Sequence, residues 1–417
     1  MTTNACGVDF GTSNSTIGWH RPDQHPLLLL EDDKPTLPSA IFFHDEDAIV
    51  SYGREALADY LAGYEGRLMR SMKSLLGSSL MDGHTEVRGR QLPFRMLLTQ
   101  FIAELKSRGE AAAGRQFDSA VIGRPVFFVD GDSEADRLAQ DTLADIARSI
   151  GFRDIEFQYE PLAAAFAYES QISDEELVLV IDVGGGTSDF SLIRVGPQRA
   201  GKADRRDDIL ANGGVHIGGV DFDRLFSLGS VMPHLGLGTL LKSGKLVPSA
   251  QYVNLASWHT INNAYTRKAW AHLTDIRAEA SERDKLDLLL KLVELRAGHW
   301  LAMQVEQAKI DLSEAQGAAI DLSRIVPGQS IPVQREDFDS TVDKLVDKVQ
   351  ATVTALLADA GVNPGQVDTV FFTGGSSRVP LLRERVARIV PEARSVEGDL
   401  FGSIGAGLAL DAARRFS

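Results

Sequence analysis

One pattern constrains this chain more than any other, because it occurs twice. Val8-Asp9-Phe10-Gly11-Thr12-Ser13 and Ile181-Asp182-Val183-Gly184-Gly185-Gly186-Thr187-Ser188 each run an apolar strand carrying one aspartate into a Gly-Thr-Ser turn. A second apolar strand follows each turn, Thr16–Trp19 and Phe190–Val195. Short apolar runs bounded by glycine turns read as β-hairpins. Two such hairpins far apart in one chain predict two lobes built on one plan, and the spacing is too long for a solenoid.

The hairpins also carry chemistry. A turn without Cβ atoms lets backbone N–H groups approach an anion, and Thr12, Ser13 and Thr187 add hydroxyl donors. An aspartate in an apolar strand is costly unless it is paired. Two of them, Asp9 and Asp182, at strand ends facing one cleft would suit Mg²⁺ held directly or through its waters. Each alone reads more simply as a cap on its own turn; as a matched pair they favour the ion. A third glycine turn, Thr373–Arg378, precedes a helix expected from Val379, where an N-terminus could take a ligand. Gly214, Gly218 and Gly219 form a fourth cluster around His216, which by itself reads as structural. Glu306, Lys309, Ile310 and Ser313 share one helix stripe, which alone reads as an ordinary solvated face.

Standard nucleotide motifs fail. Gly238 to Gly244 is one residue too long for a P-loop, and Gly184-x-Gly186 meets Asp189 where a dinucleotide fold needs its third glycine. Further strands are expected at Ile41–Phe43, Ala48–Val50, Val121–Ile122, Leu177–Val183 and Val367–Phe372. Helices are expected at Arg95–Lys106, Ser133–Ser149, Pro161–Ser170, Asp284–Ser313, Glu336–Ala360 and Val379–Val390, and the stretch 199–209 reads as a charged loop. The mixture predicts an α/β protein, and 417 residues allow two to four domains. With 43 basic against 58 acidic residues and a formal charge of −15, the chain lacks a nucleic-acid footprint. The same charge stands, at first sight, against a polyphosphate ligand. No apolar run is long enough to span a membrane. The N-terminus from Met1 to Ala5 lacks a basic and an apolar region, so no signal peptide is read and a cytoplasmic protein is expected. Cys6 is the one cysteine, so no internal disulfide can form.

Taken together and in order, these segments resemble the ATPase domain of the DnaK-type 70 kDa heat-shock chaperone family. Gly7–Ser15 resembles its first phosphate loop and Met72-Lys73-Ser74-Leu75-Leu76-Gly77 its catalytic-lysine segment. Ala120–Val126 falls where the family carries a switch proline, here Pro125. Glu160-Pro161-Leu162-Ala163-Ala164-Ala165 resembles the segment with its acidic coupling residue. Asp182–Ser191 resembles the second phosphate loop, and Gly218-Gly219-Val220-Asp221-Phe222-Asp223 the family's Gly-Gly-x-Asp-Phe-Asp. Val305–Ser313 and Gly374–Pro380 resemble its nucleoside-contacting segments.

The resemblance implies an actin-like ATPase fold of two ribonuclease-H-like lobes with inserted subdomains. Lobe I would comprise 1–168 with a C-terminal helix at 402–417; lobe II would comprise 169–401, with an inserted subdomain at about 212–304. It implies ATP or ADP with Mg²⁺. Asp9, Asp182, Glu160 and Asp189 would hold the ion largely through water. Lys73, Asp9, Glu160, Asp182 and Thr187 would carry catalysis, with Lys73 orienting the attacking water. Phosphates would lie against Gly11, Thr12, Ser13, Asn14, Gly185, Gly186 and Thr187. The rest of the nucleotide would meet Gly218, Gly219, Glu306, Lys309, Ser313, Gly374, Gly375, Ser376, Arg378 and Asp399. The implied function is slow ATP hydrolysis in a chaperone-like protein whose lobe closure gates a protein partner. J-domain and nucleotide-exchange co-chaperones are candidate partners, and a monomer is expected. Alternatives on the same scaffold are a small-molecule kinase, a filament-forming actin relative and a non-hydrolysing nucleotide-dependent scaffold.

Departures from the family are informative. Gly123-Arg124 interrupts the usual apolar run before Pro125, and Phe128–Arg137 is longer than the usual connection. Arg137 is the expected arginine beside the switch proline. The match is weaker over 225–300. No peptide-binding domain is read after Gly407, which places the chain near the short, YegD-like members.

Overall fold

The structure is a computed structural model that describes residues 4–22, 24–46, 49–200, 202, 205–399 and 402–416. The N-terminal residues Met1 to Thr3, the expected strand residue Ala48, and 201, 203 and 204 of the expected charged loop lie outside that set. In the first hairpin Ala5–Asp9 pairs antiparallel with Asn14–Gly18, placing Asp9 opposite Thr16. Thr36–Pro38 adds a third antiparallel strand. On the other side of Ala5–Asp9 lie Ser119–Arg124 and Asp154–Tyr159, both parallel.

The second hairpin repeats this plan strand for strand. Glu176–Val183 pairs antiparallel with Ser188–Val195, which pairs antiparallel with Ile209–Val215; Thr369–Thr373 and Arg394–Glu397 follow in parallel. Both five-stranded sheets thus have a three-stranded meander continued by two parallel strands. Parallel neighbours need crossover connections. Ser133–Ser149 supplies the one between the two parallel strands of the first sheet, and Pro380–Ile389 its counterpart in the second. The expected duplication is therefore architectural.

Alternation along the strands decides what each face buries. Cys6, Val8 and Phe10 pack with Ala120 and Ile122 against Phe101, Ile102 and Leu105 of helix Phe94–Ala113 and Leu143 and Ile146 of Ser133–Ser149. On the opposite face, Ala5 and Val121 meet Ala163, Leu408 and Ala412. Helix Ser403–Arg415 lies so close here that a Cβ on Gly7 would stand 2.4 Å from Ala409 N, and one on Gly407 would stand 1.7 Å from Ala163 O. The helix that ends the first half, Glu160–Glu169, instead buries Leu162, Ala165, Phe166 and Tyr168 on Val178, Val180, Ile193, Val195 and Phe371 of the second sheet. Each half thus lends its last helix to the other half's sheet. Burial of each such large apolar side chain contributes about 1.5–3 kcal/mol relative to exposure.

The chain separates into two compact units. The first comprises Met1–Gly219, Lys348–Arg378 and Leu382–Ser417 and contains both five-stranded sheets; the second comprises Val220–Asp347 with Val379–Leu381. The second unit is mainly helical and closes around Phe222, Phe226 and Phe338, the last two meeting edge-on at 5.1 Å. One helix was expected over Asp284–Ser313; two form, Arg283–Glu294 and Gly298–Glu314. Arg296 adopts a left-handed φ of 48° between them, a break that an uninterrupted apolar stripe conceals. Among the described residues no helix is long and apolar enough to cross a membrane.

Candidate functional site

Lys73 sits on the short 3₁₀ turn Met72–Leu75, and Glu160 is the first residue of helix Glu160–Glu169, where the helix dipole favours a carboxylate. Lys73 Nζ donates to Glu160 Oε1, and both side chains are buried. Room for Glu160 comes from Gly123, where a Cβ would stand 3.3 Å from Glu160 Cγ.

Three more buried carboxylates surround this pair. Asp9 ends the first strand of its hairpin; Asp182 and Asp189 face each other across the second. Burial, then the Glu160 charge, pushes Asp9 up to about 7 against the pull of Lys73. Asp189 is likewise pushed up to about 7 by burial and Glu160, with the Thr187 side chain, the Val126 N–H and Lys73 acting the other way. Asp182 rises well above its ordinary value through burial and its neighbours Glu160, Asp189 and Asp9. Burial works against the charge on Lys73, but Glu160 and Asp9 outweigh it and the ammonium is held. Four carboxylates share one lysine. Among the described residues, Asp182 Oδ1 and Asp189 Oδ2 have no hydrogen-bond partner, although buried polar atoms are nearly always satisfied. Both atoms and the raised proton affinities mark a place that lacks positive charge.

The glycine turns converge on the same place. A Cβ on Gly185 would lie 2.6 Å from Ser13 Oγ, one on Gly186 would lie 3.1 Å from Thr12 Oγ1, and one on Gly218 would lie 2.5 Å from the Gly185 carbonyl. The two hairpin turns therefore stand face to face, and the backbone contact at Gly218 leaves no room for a Cβ. Gly374, at φ +77°, brings its Cα against Asp182; a Cβ there would be 2.4 Å from Oδ1. Thr12, Lys73, Gly186 and Thr187 line one pocket together with Pro125 and Phe128. Ser39 steadies the first turn: its Oγ donates to Gly11 O at 2.7 Å and its N–H to Ser13 O at 2.9 Å. Sequence reading missed Ser39 and Phe128, since neither carries a motif.

The remaining expected nucleotide residues fall in two groups. Ser376 is buried in the turn Gly375–Arg378, Arg378 is held by Glu397 at 2.8 Å, and the Asp399 carbonyl accepts the Ser403 N–H at 3.0 Å, all within the first unit. Glu306, Lys309 and Ser313 belong to the second unit. There Lys309 Nζ is buried and pairs with Asp223 at 2.8 Å, and Ser313 Oγ donates to Lys309 O at 3.1 Å. Asp223 is the last residue of the Gly-Gly-x-Asp-Phe-Asp segment, so this pair joins two expected motifs. Arg137, expected beside the switch proline, is exposed. Its neighbour Asp136 faces that segment and binds Arg124 instead.

Two matched α/β sheets with facing phosphate-type turns above a shared acidic cluster define an actin-like ATPase fold. Residues 5–228 and 273–412 match the family model described as Hsp70 protein, and the chain belongs to that family. It is 27% identical to the chaperone protein HscA of Pectobacterium carotovorum and 26% identical to those of Citrobacter koseri and an Escherichia coli strain, over 98% of this chain in each case. The chain spans 58% of the length of these relatives.

Proposed function

We propose that this chain binds ATP with Mg²⁺ and hydrolyses it slowly to ADP and phosphate, as a chaperone-type ATPase whose nucleotide state gates a protein partner. The observation that carries this is the buried Lys73–Glu160 pair set among Asp9, Asp182 and Asp189 beneath two facing glycine turns. The site fits Mg²⁺. Its orphaned carboxylate oxygens need positive charge. Mg²⁺ usually keeps several of its waters when carboxylates bind it. Asp9, Asp182, Glu160 and Asp189 would hold it through those waters. Bound there, Mg²⁺ would neutralise charge on the phosphate oxygens.

The rest is the work of this chain's own groups. Backbone N–H groups of the turns at Gly11–Asn14 and Gly184–Thr187, with the hydroxyls of Thr12, Ser13 and Thr187, hold the phosphates. Lys73 faces the γ-phosphate and orients a water for in-line attack, and Glu160 fixes the ammonium while accepting from that water. Positioning and preorganised charge supply most of the rate in such a reaction. Glu306, Lys309 and Ser313 with Gly375, Ser376 and Arg378 would contact the nucleoside, and Gly218, Gly219, Gly374 and Asp399 would meet the nucleotide beside them. Lobes at 1–168 with 402–417, and at 169–401 with an insert at about 212–304, would close on nucleotide. J-domain or nucleotide-exchange co-chaperones are the candidate partners of a monomeric, cytoplasmic protein.

Single-turnover ATP hydrolysis with Mg²⁺ tests this reading. Lys73→Ala is expected to slow hydrolysis by about 10²–10³-fold, the usual loss for one preorganised charge, with ATP still bound. If both chains bind ATP and neither hydrolyses it, the chain is a nucleotide-dependent scaffold.

A further inference from the structure

Arg124 ends the strand Ser119–Arg124, an unusual place for a cation, and is 9% exposed. Its guanidinium holds the next four residues. Nε donates to Pro125 O at 2.9 Å, and Nη2 donates to Val126 O at 3.1 Å and to Asp136 Oδ2 at 2.8 Å. Nη1 donates to Gln140 Oε1. The same group lies over the rings of Phe128, at 5.1 Å, and Tyr159, at 5.4 Å. Asp136 completes the hold by accepting the Phe128 N–H at 2.6 Å. Two carbonyls, one ring and one N–H of Pro125–Phe128 are therefore fixed by one ion pair.

That segment reaches the acidic cluster. The Val126 N–H donates to Asp189 Oδ1 at 2.6 Å, and Pro125 and Phe128 line the pocket that holds Lys73 and Thr187. Gly214 closes the opposite side, where a Cβ would stand 3.0 Å from Asp189 Oδ1 and 3.6 Å from Val126 Cβ. The segment has little freedom while Arg124 is in place.

We propose that Arg124, braced by Asp136, is a positioning residue for hydrolysis: it fixes Pro125–Phe128 so that the Val126 N–H holds Asp189 in place beside Thr187 and Lys73. Lysine cannot replace it, because a single ammonium cannot serve two carbonyls and a carboxylate in one plane and stack on two rings. The inference rests on the ATPase reading for its rate, but the clamp itself is a property of the folded chain.

The test uses Arg124→Lys and Asp136→Asn, the second keeping an acceptor for the Phe128 N–H. Both are expected to slow single-turnover hydrolysis by about tenfold to a hundredfold, the usual cost of misplacement near 1 Å, with ATP affinity within about twofold of wild type. In an Asp189→Ala background, which removes the acceptor for the Val126 N–H, Arg124→Lys should cost no more than about twofold further, because residues acting through one another are not additive. Full additivity, or a loss confined to ATP affinity, overturns the proposal. Amide exchange reads the clamp without nucleotide turnover: the Val126 amide should exchange at least about tenfold faster in Arg124→Lys, in proportion to how often the segment opens. Unchanged exchange overturns the clamp. A wild type that binds ATP without hydrolysing it overturns the ATPase reading alone, and the exchange result then decides the clamp.

Discussion

The helix Glu160–Glu169 carries a buried acidic cluster at each end, and the two are treated in opposite ways. At its start, Glu160 shares Lys73 with Asp9, Asp182 and Asp189, and three of these carboxylates are pushed up in pKa. At its end, Glu169 receives both outer nitrogens of Arg205, at 2.7 and 2.8 Å, and the Gly196 N–H at 3.0 Å. Arg205 also holds Asp208, which Arg199 binds too, and lies 5.1 Å over the Phe166 ring. Burial alone would raise Asp208, but Arg205 and Arg199 outweigh it and hold its carboxyl below the usual range. Both clusters are closed to solvent, but the first lies deeper in the protein, and the supply of cations differs as well. A cluster that is fully paired stabilises a fold and has nothing left to bind, whereas an underpaired one is costly until a cation arrives. Strongly perturbed carboxylates gathered around the lysine of a pocket mark function on that ground.

Removing the cation at the saturated end should have the largest effect on stability. Arg205→Met leaves Glu169 and Asp208 buried without their main partner and is expected to cost about 3–5 kcal/mol in denaturant unfolding, the usual penalty for breaking a buried pair. A cost below about 1 kcal/mol would show that water replaces the arginine and that the two ends do not differ. At the underpaired end the sign reverses. Asp182→Asn removes surplus negative charge, so the nucleotide-free chain should be unchanged or more stable, by up to about 1–2 kcal/mol on the scale of trade-offs between stability and function. The same variant should lose most of the stabilisation by MgATP, which in wild type reaches about 2.7 kcal/mol at a hundred times the dissociation constant. Destabilisation of the Asp182→Asn chain without Mg²⁺, read in the same melts, would sink the account of the cluster as short of cations.

The smallest effect is a pH dependence. Asp208 has a folded pKa below its unfolded one, so its contribution is fully present above about pH 4, the unfolded value. It is lost as pH falls through the lower folded pKa. In Arg205→Met that contribution is gone at every pH, so the stability gap between variant and wild type should narrow as pH falls below about 4, read by denaturant unfolding followed by circular dichroism. A gap that does not change with pH would mean that Arg199 alone sustains the pairing.

Much of the fold was legible because it is written in local pattern. The strands near Asp9 and Asp182 and the helix Ser133–Ser149 follow from apolar period and glycine turns, and the repeated hairpin foretold two sheets of one topology. The strand Asp154–Tyr159 alternates polar and apolar residues strictly, a half-buried strand signal that was legible in the sequence and is missing from the strands expected above. The candidate site was legible in a different way. Lys73 has no local signature that separates it from a surface lysine, and it was found only through its place in an ordered set of family segments. The sequence marks Arg124 only as an interruption of a strand, and it does not set the phase of the helix that turns Asp136 inward and leaves Arg137 exposed.

The sequence by itself determined the two aspartate hairpins, the four glycine turns and the family, because these depend on residues adjacent in the chain. It also supplied the negative charge that first stood against a phosphate ligand. Only the tertiary structure decided which carboxylates share Lys73, a contact spanning 87 residues, which are saturated by arginine, and that each half's last helix covers the other half's sheet. The reason is physical: the charge state and reach of a side chain depend on burial and on partners brought from elsewhere, and neither exists until the sheets and helices pack.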